Sequence, residues 1–301
     1  YTFINQLYNI NCSSITAQGN IVAHGTSNSI IYTYQLNQGN IGVKYGVLDT
    51  DEITYNNNPN IYKYIGHNAA VYSIDFSSDG KYLISGSADH TIRLWSTQTH
   101  SNIVCYKGHT FTIWDVTFSP LGYYFASASA DYTARLWCTD SITPIRIFSG
   151  HTKDVNKVIF HPNCQYIATA SADSTIRLWD ISDGLCKRIF IGHKGSVDCL
   201  TISKNGQYLA SGGEDMLIHV YDINSGDQLY TFQGHTHRIT TIDFNYQSNI
   251  IISSSMDGTI KAWPLYQSSI SNDDDDNDQL TLQQQQEQLQ AKVQTWPVKQ
   301  G

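Results

Sequence analysis

The chain has 301 residues, 41% hydrophobic and 12% aromatic, with 26 acidic against 18 basic residues and a formal net charge of −8. That is apolar material for one large domain or two ordinary ones and too much for global disorder, and no run of about 18 apolar residues offers a membrane span. Phosphate binding needs a basic excess that is absent here, so neither a membrane nor direct nucleic-acid contact is expected.

The opening residues, Tyr1 to Asn11, mix polar and aromatic side chains without the basic start and apolar block of a signal peptide. They also lack an initiator Met, which leads us to expect a piece of a longer chain. A first strand-and-turn unit follows at Gly19 to Tyr34, and it aligns with Gly80 to Trp95 at an offset of 61 residues. In that alignment Asn28 takes the place of Asp89 and Tyr34 that of Trp95. The polar stretch Leu48 to Asn60, with its run Asn56 to Asn60, reads as an exposed loop.

From residue 66 the chain repeats. Gly-His recurs at His67, His109, His151, His193 and His235, each step being 42 residues. A turn aspartate keeps the same step at Asp89, Asp131, Asp173, Asp215 and Asp257, and so does an aromatic at Trp95, Trp137, Trp179, Tyr221 and Trp263. One period holds four strand-like segments, Ala70–Ser77, Asp79–Ser87, His90–Ser96 and Asn102–His109, separated by turn residues. A period of about 40–45 residues with Gly-His and Trp-Asp landmarks is the signature of WD40 repeats, one four-stranded blade per period. The fold class expected is therefore an all-β WD40 β-propeller over residues 1–265, with six repeats visible.

Residues 266–301 form a low-complexity tail. An acidic run, Asn272 to Asp278, leads into the glutamine-rich Gln279 to Gln290, read as an insertion rather than structure. Only Val293 to Lys299 has the composition to start a further strand, which reads as the beginning of a truncated last blade. No outer strand is evident between Trp263 and the acidic run, and the N-terminal segment Tyr1 to Asn5 is a candidate to fill that place.

Motifs for chemistry are missing. No G-x-S-x-G, Walker-type or dinucleotide-binding glycine pattern occurs, so no catalytic residue and no cofactor is expected. The six cysteines (Cys12, Cys105, Cys138, Cys164, Cys186 and Cys199) have no C-x-x-C spacing and read as buried free thiols in a reducing compartment. The five repeat histidines fall in different blades and cannot converge on one ion. His24, His90, His100, His161, His219 and His237 show no metal spacing, so no metal site is expected.

Particular stretches carry a closer resemblance. Tyr106 to Asp131, with Ile113-Trp114-Asp115 and Phe118 to Phe125, is similar to the third repeat of the WD40 propeller in the TBP-associated factor subunit 5 family of TFIID and SAGA-type transcription complexes. Pro144 to Asp173, through Arg146-Ile147-Phe148, Asp154-Val155-Asn156 and His161-Pro162-Asn163, resembles the fourth, and Cys186 to Gly212 the fifth. The resemblance runs from Tyr1, where Tyr1 to Asn5 is similar to the family's opening strand, to about Pro264. It implies a ring of seven blades and a non-catalytic nuclear scaffold that helps assemble a complex for transcription initiation by RNA polymerase II. The partners it implies are other subunits, histone-fold TBP-associated factors among them.

The resemblance also implies roles for residues. The repeat His bonds the turn Asp, and a strand Ser or Thr links onward to the Trp indole, a structural network rather than a reactive one. Partner-binding candidates are the start of each innermost strand and the residue before the turn Asp: Tyr72, Trp114, Asp154, Asn156, Asp198, Arg238 and Met256. Exposed Tyr, Trp and Arg dominate interface energies, although Tyr72 and Trp114 could instead pack between blades. The rival reading is a WD40 adaptor of another class, such as a ubiquitin-ligase receptor or a splicing subunit, which an upstream F-box would favour over a LisH-like segment.

Overall fold

Short segments rich in Val, Ile, Tyr and Thr, cut every few residues by Asp-, Ser- and Gly-containing turns, can satisfy their backbone only by pairing with the next segment. The computed structural model describes residues 9–36, 61–265 and 294–297, and all regular structure in them is β-strand. None of these residues forms a helix long and apolar enough to cross a membrane.

The described residues fall into two compact units, the first ending at Ser149 and the second starting at Gly150. Each unit holds three antiparallel four-stranded blades with strands in chain order. In the first unit, blade one is β1 (Ile10–Ile15), β2 (Ile21–Thr26), β3 (Ile31–Gln35) and β4 (Ile61–Tyr64). Blade two is β5 (Val71–Phe76), β6 (Tyr82–Ser87), β7 (Thr91–Ser96) and β8 (Asn102–Lys107). Blade three is β9 (Ile113–Phe118), β10 (Tyr124–Ser129), β11 (Thr133–Cys138) and β12 (Arg146–Ser149). In the second unit, blade four is β13 (Val155–Phe160), β14 (Tyr166–Ser171), β15 (Thr175–Asp180) and β16 (Cys186–Ile191). Blade five is β17 (Val197–Ile202), β18 (Tyr208–Gly213), β19 (Leu217–Asp222) and β20 (Gln228–Gln233). Blade six is β21 (Ile239–Phe244), β22 (Ile250–Ser255), β23 (Thr259–Pro264) and β24 (Gln294–Pro297). The described residues hold six blades, and a seventh is not among them.

The second strand of blades two, four and five is buried on both faces, because the next blade of the same unit covers the side a lone sheet would expose. Ile84, Ile92 and Leu94 of blade two pack with Ile113, Val116 and Phe118 of blade three. Gly86 sits at that contact, and a Cβ there would lie 2.7 Å from Ile113. Fully burying a side chain of this size is worth about 1.5–3 kcal/mol.

Polar side chains stitch the same seam. The Ser73 hydroxyl donates to Asp115 Oδ1 at 2.8 Å, and Asp75 Oδ2 accepts the Phe118 amide at 2.8 Å and the Thr117 hydroxyl at 3.2 Å. Between blades five and six Thr201 donates to Asp243 at 3.1 Å. Between blades four and five His161 Nε2 donates to the Gly206 carbonyl at 2.9 Å, and Arg188 donates to the carbonyls of Ser225 and Asn224.

Three expectations are corrected. Val293 to Lys299 does not open a new blade: Gln294–Pro297 pairs with β23, Thr259 opposite Pro297 and Ala262 opposite Gln294, as the outer strand of blade six. The outer strand therefore follows the acidic and glutamine-rich stretch, a separation that no local pattern reveals. The edge offered to Tyr1–Asn5 is thus taken; that segment, the loop Leu48–Asn60 and the tail 266–293 lie outside the described residues. The cysteines are free, but only Cys199 is buried, the other five being half-buried on strand edges and turns.

Asp75→Ala removes the acceptor of the Phe118 amide across the seam. The expected result is a loss of about 1–3 kcal/mol in urea unfolding with native-like circular dichroism. An unchanged midpoint would show that the Asp75 bonds add nothing to the seam.

Candidate functional site

The repeated residues form a directed relay. Each aspartate sits in the turn between the second and third strands and holds that turn itself: Asp89 Oδ1 accepts the Thr91 amide at 2.9 Å and the Thr91 hydroxyl at 2.6 Å. The residue after the aspartate is thereby forced into the left-handed region, with φ of 66° at His90, 66° at Tyr132, 68° at Ser174 and 63° at Met216. Asp Oδ2 then accepts the histidine Nδ1–H, at 2.9 Å in His67–Asp89, 2.7 Å in His109–Asp131, and 2.8 Å in His151–Asp173, His193–Asp215 and His235–Asp257.

A carboxylate only accepts, so Nδ1 carries the proton and Nε2 of the neutral ring must accept. It accepts from a hydroxyl on the second strand: Ser85 at 2.7 Å, Ser127 at 2.7 Å, Thr169 at 2.8 Å, Ser211 at 2.8 Å and Ser253 at 2.7 Å. That oxygen in turn accepts the indole N–H of Trp95 at 2.8 Å, Trp137 at 2.9 Å, Trp179 at 2.8 Å and Trp263 at 2.8 Å. Every buried polar atom along the line has a partner.

The glycine before each histidine lets the chain lie on the tryptophan. A Cβ on Gly108 would stand 2.9 Å from the Trp137 ring and 2.7 Å from the Arg135 guanidinium. Arg93 and Arg177 likewise lie over Trp95 and Trp179, at 6.0 and 5.9 Å from the ring centres.

Electrostatics follow from this packing. Burial pushes the Asp131 carboxyl up, but hydrogen bonds from His109 and Thr133 outweigh it and hold it well below the usual range. At Asp173 the same contest, with Thr175, His151 and the Thr152 amide opposing burial, ends at about 2. Burial lowers His109 and His151 against the pull of their aspartates. Hydroxyl, imidazole and carboxylate stand here in the order of an acyl-transfer triad. Yet Ser85, Ser127, Thr169 and Ser211 are 0% exposed and Ser253 is 1% exposed, so no substrate reaches these oxygens.

Blades one and five depart from the scheme. In blade one His24 occupies the hydroxyl position, buried between Tyr32 and Tyr34 at ring distances of 5.3 and 5.2 Å, and burial lowers it to about 4. Asn28 accepts from Thr26 and from the Ile30 amide at 3.3 Å, holding its turn as the aspartates do. In blade five Tyr221 replaces the indole, and its buried hydroxyl makes no hydrogen bond. His219 replaces the arginine and stands edge-on to His193, ring centres 4.3 Å apart. His193, Asp215 and His219 bring three ligand atoms within 4.8 Å of one another, a grouping that the sequence spacing of the histidines does not suggest. The sequence hides this because His219 lies 26 residues after His193, on β19, whereas His193 lies in the segment between β16 and β17.

The candidate partner residues sit on a second structural device. The innermost strand of every blade carries a bulge, and the extra residue is Asn11, Tyr72, Trp114, Asn156, Asp198 or Thr240. A bulge re-aims one side chain out of the alternating pattern. The flanking Val71, Ile113, Val155, Val197 and Ile239 are 0% exposed, whereas the six bulge residues are half-buried or exposed. Asn11, Tyr72, Asn156 and Asp198 reach toward the next blade, whereas the Thr240 hydroxyl bonds Ser254 of its own blade. Asn11 donates to the Val71 carbonyl at 3.0 Å, and the Tyr72 and Trp114 rings lie 4.9 Å apart. Asn156 donates to the Val197 carbonyl at 2.9 Å and to Asp198 at 3.2 Å, and Asp198 accepts from Arg238 Nε at 2.6 Å. Asp154 is half-buried beside Asn156, and Met256, before its turn Asp, is 62% exposed. The structure thus joins Tyr72 with Trp114, and Asn156 with Asp198 and Arg238, while the Met256 amide donates to the Arg238 carbonyl at 3.0 Å.

Comparison with known proteins follows the same lines. The family model described as "WD domain, G-beta repeat" matches residues 58–96, 100–138, 142–180, 184–222 and 226–264. Transcription initiation factor TFIID subunit 5 of Arabidopsis thaliana is 43% identical over 106 residues, 34% of this chain and 16% of that protein. The SAGA complex/transcription factor TFIID complex subunit Taf5 of Schizosaccharomyces pombe is 38% identical over 101 residues, 33% of this chain and 14% of that protein. Transcription initiation factor TFIID subunit 5 of Caenorhabditis elegans is 36% identical over 113 residues, 33% of this chain and 17% of that protein. The matched part is thus about a third of this chain and a small share of each relative.

Two tests address the relay. Ser127→Ala strips both His109 and Trp137 of a buried partner, whereas Ser211→Ala strips His193 alone; losses of about 2–4 and about 1–2 kcal/mol are expected in urea unfolding. Equal losses would mean that the indole bond adds nothing. Acid should also act in two stages. Histidines held below their ordinary 6.5, His24 among them, give stability that is whole above that pH and is lost as the pH falls through their folded values. Depressed aspartates such as Asp131 and Asp173 give stability that goes only below their ordinary 3.8. An unfolding midpoint that stayed level between about pH 7 and pH 4 would contradict the first stage.

Proposed function

The chain belongs to the WD domain, G-beta repeat family, and we propose that it is a non-catalytic protein–protein interaction scaffold of a nuclear, TFIID-type transcription complex. One observation carries the reading. Along the chain the brace positions repeat almost unchanged, while the bulge position differs in every blade, running Asn11, Tyr72, Trp114, Asn156, Asp198, Thr240. A position that packing leaves free to vary, and that a bulge turns outward, suits recognition rather than support.

In the first unit the half-buried Tyr72–Trp114 pair offers a rigid aromatic anchor, the residue type that dominates interface energies. In the second, Arg238 is partly exposed above Asp198 and offers directed polar contacts beside Asn156. Met256 supplies an adaptable apolar contact. The net charge of −8 favours a partner with a basic face. The names of the relatives supply the setting, assembly with other subunits for transcription initiation, with histone-fold TBP-associated factors as the proposed contacts. The stretch 266–293, ahead of the outer strand of blade six, is proposed as a linker-like insertion outside this recognition role.

Affinity purification from nuclei should recover histone-fold subunits. Cullins or spliceosomal proteins in their place would move the chain to another class of adaptor. Trp114→Ala should weaken capture about 10- to 30-fold while circular dichroism and the unfolding midpoint hold. Undiminished capture would remove Trp114 from the interface.

A further inference from the structure

In blade five three positions change together on one face of one strand. Leu217, His219 and Tyr221 stand where blade two has Thr91, Arg93 and Trp95, and alternate residues of a strand share a face. Each change removes something that blades two to four supply. Without the threonine hydroxyl, Asp215 Oδ1 keeps only the Leu217 amide, at 3.3 Å. Without the arginine, no guanidinium stands beside the carboxylate as Arg135 stands 3.5 Å from Asp131. Without the indole, Ser211 has no donor on its far side. What enters instead is His219, 4% exposed, whose Nε2 makes no hydrogen bond.

From this geometry we infer that blade five holds a divalent zinc-class cation on His193, Asp215 and His219. Two imidazole nitrogens and one carboxylate oxygen form a borderline-soft donor set suited to Zn(II), with a remaining position for water. The three ligand atoms lie within 4.8 Å of one another. Ligands on a zinc ion at about 2.0–2.1 Å lie somewhat closer together than that, so a small inward shift completes the site. The ion restores the positive charge that the arginine gives blades two to four.

The hydrogen bonds permit the tautomer that this needs. For Nδ1 of His193 to ligate, its proton must sit on Nε2 and be accepted by Ser211. In the tryptophan blades the indole already donates to that oxygen. In blade five it does not, and Ser211 can pass its own proton toward the His219 carbonyl, 3.5 Å away. His219 is steadied from behind by Gln228, whose carboxamide lies 2.9 Å from Nδ1. Turned end for end, that carboxamide accepts Nδ1–H and aims the Nε2 lone pair at the ion. Neither ring gains or loses a net proton.

The test is titration of the whole chain with zinc chloride under reducing conditions, read by calorimetry and by the thermal unfolding midpoint, with cobalt(II) as an optical probe. We expect one zinc per chain, a raised midpoint, and a cobalt spectrum of nitrogen and oxygen ligands without thiolate charge transfer. His219→Arg restores the side chain of blades two to four, keeps the blade folded, and should abolish binding. Gln228→Ala should weaken binding about 10- to 100-fold. No zinc bound by the wild type, thiolate bands with cobalt, or equal binding by His219→Arg would each overturn the proposal. None of these readouts depends on the partner-binding role.

Discussion

A buried imidazole has two nitrogens to satisfy, and the way this chain satisfies them orders everything around it. With the proton fixed on Nδ1 by an aspartate, Nε2 must find a hydroxyl, and the hydroxyl oxygen can then take an indole N–H. One line of bonds thereby ties the segment entering a blade, the turn between its second and third strands, and the large side chain of the third strand. None of these three can shift without stranding a polar atom in the interior, at about 1–3 kcal/mol for each. Blade one reaches closure by another route, stacking His24 between two tyrosines and letting Asn28 hold the turn.

Much of this was legible in advance, because the constraint recurs at a fixed period. Gly-His, Asp and Trp in phase gave the blades, and the strand segments read within one period lie within a few residues of β5 to β8. Features without a one-residue signature were not legible. The bulge at Trp114 is a matter of register, visible only when Ile113 and Asp115 are seen opposite Ser129 and Ala128. The outer strand of blade six lies beyond a long polar stretch, and its composition fits a new strand as well as an old edge. The left-handed residue after each aspartate is set by the side-chain bonds of that aspartate, so His90 and Tyr132 accept a conformation that their own types disfavour. His219 looked like an isolated histidine because the repeat sets its alignment with Arg93, whereas antiparallel pairing sets its neighbours.

The same contrast separates support from recognition within a blade. Where the relay runs, the chemistry of a catalytic triad is present but sealed, its hydroxyl buried and already committed to the indole. Where the bulge runs, backbone pairing is interrupted and one side chain per blade is released from the packing that fixes its neighbours. A blade can therefore exchange Tyr for Asn or Asp at the bulge without disturbing its brace, and the chain does so at each repeat.

Blade five shows what happens when the brace itself is edited. Leu217, His219 and Tyr221 alternate on β19, so three changes fall on one face and leave the opposite face, with Ile218 and Val220, in the core. The fold tolerates the edit because His193 keeps both of its bonds, to Asp215 and Ser211, while only the outward end of the relay is dismantled. The cost is a tyrosine hydroxyl and an imidazole nitrogen buried without partners. Blades two to four also bury an arginine Nε without a partner at that position, but there the indole is bonded to its hydroxyl, so what sets blade five apart is an imidazole nitrogen with a lone pair to offer. It fits a position where a ligand completes the bonding.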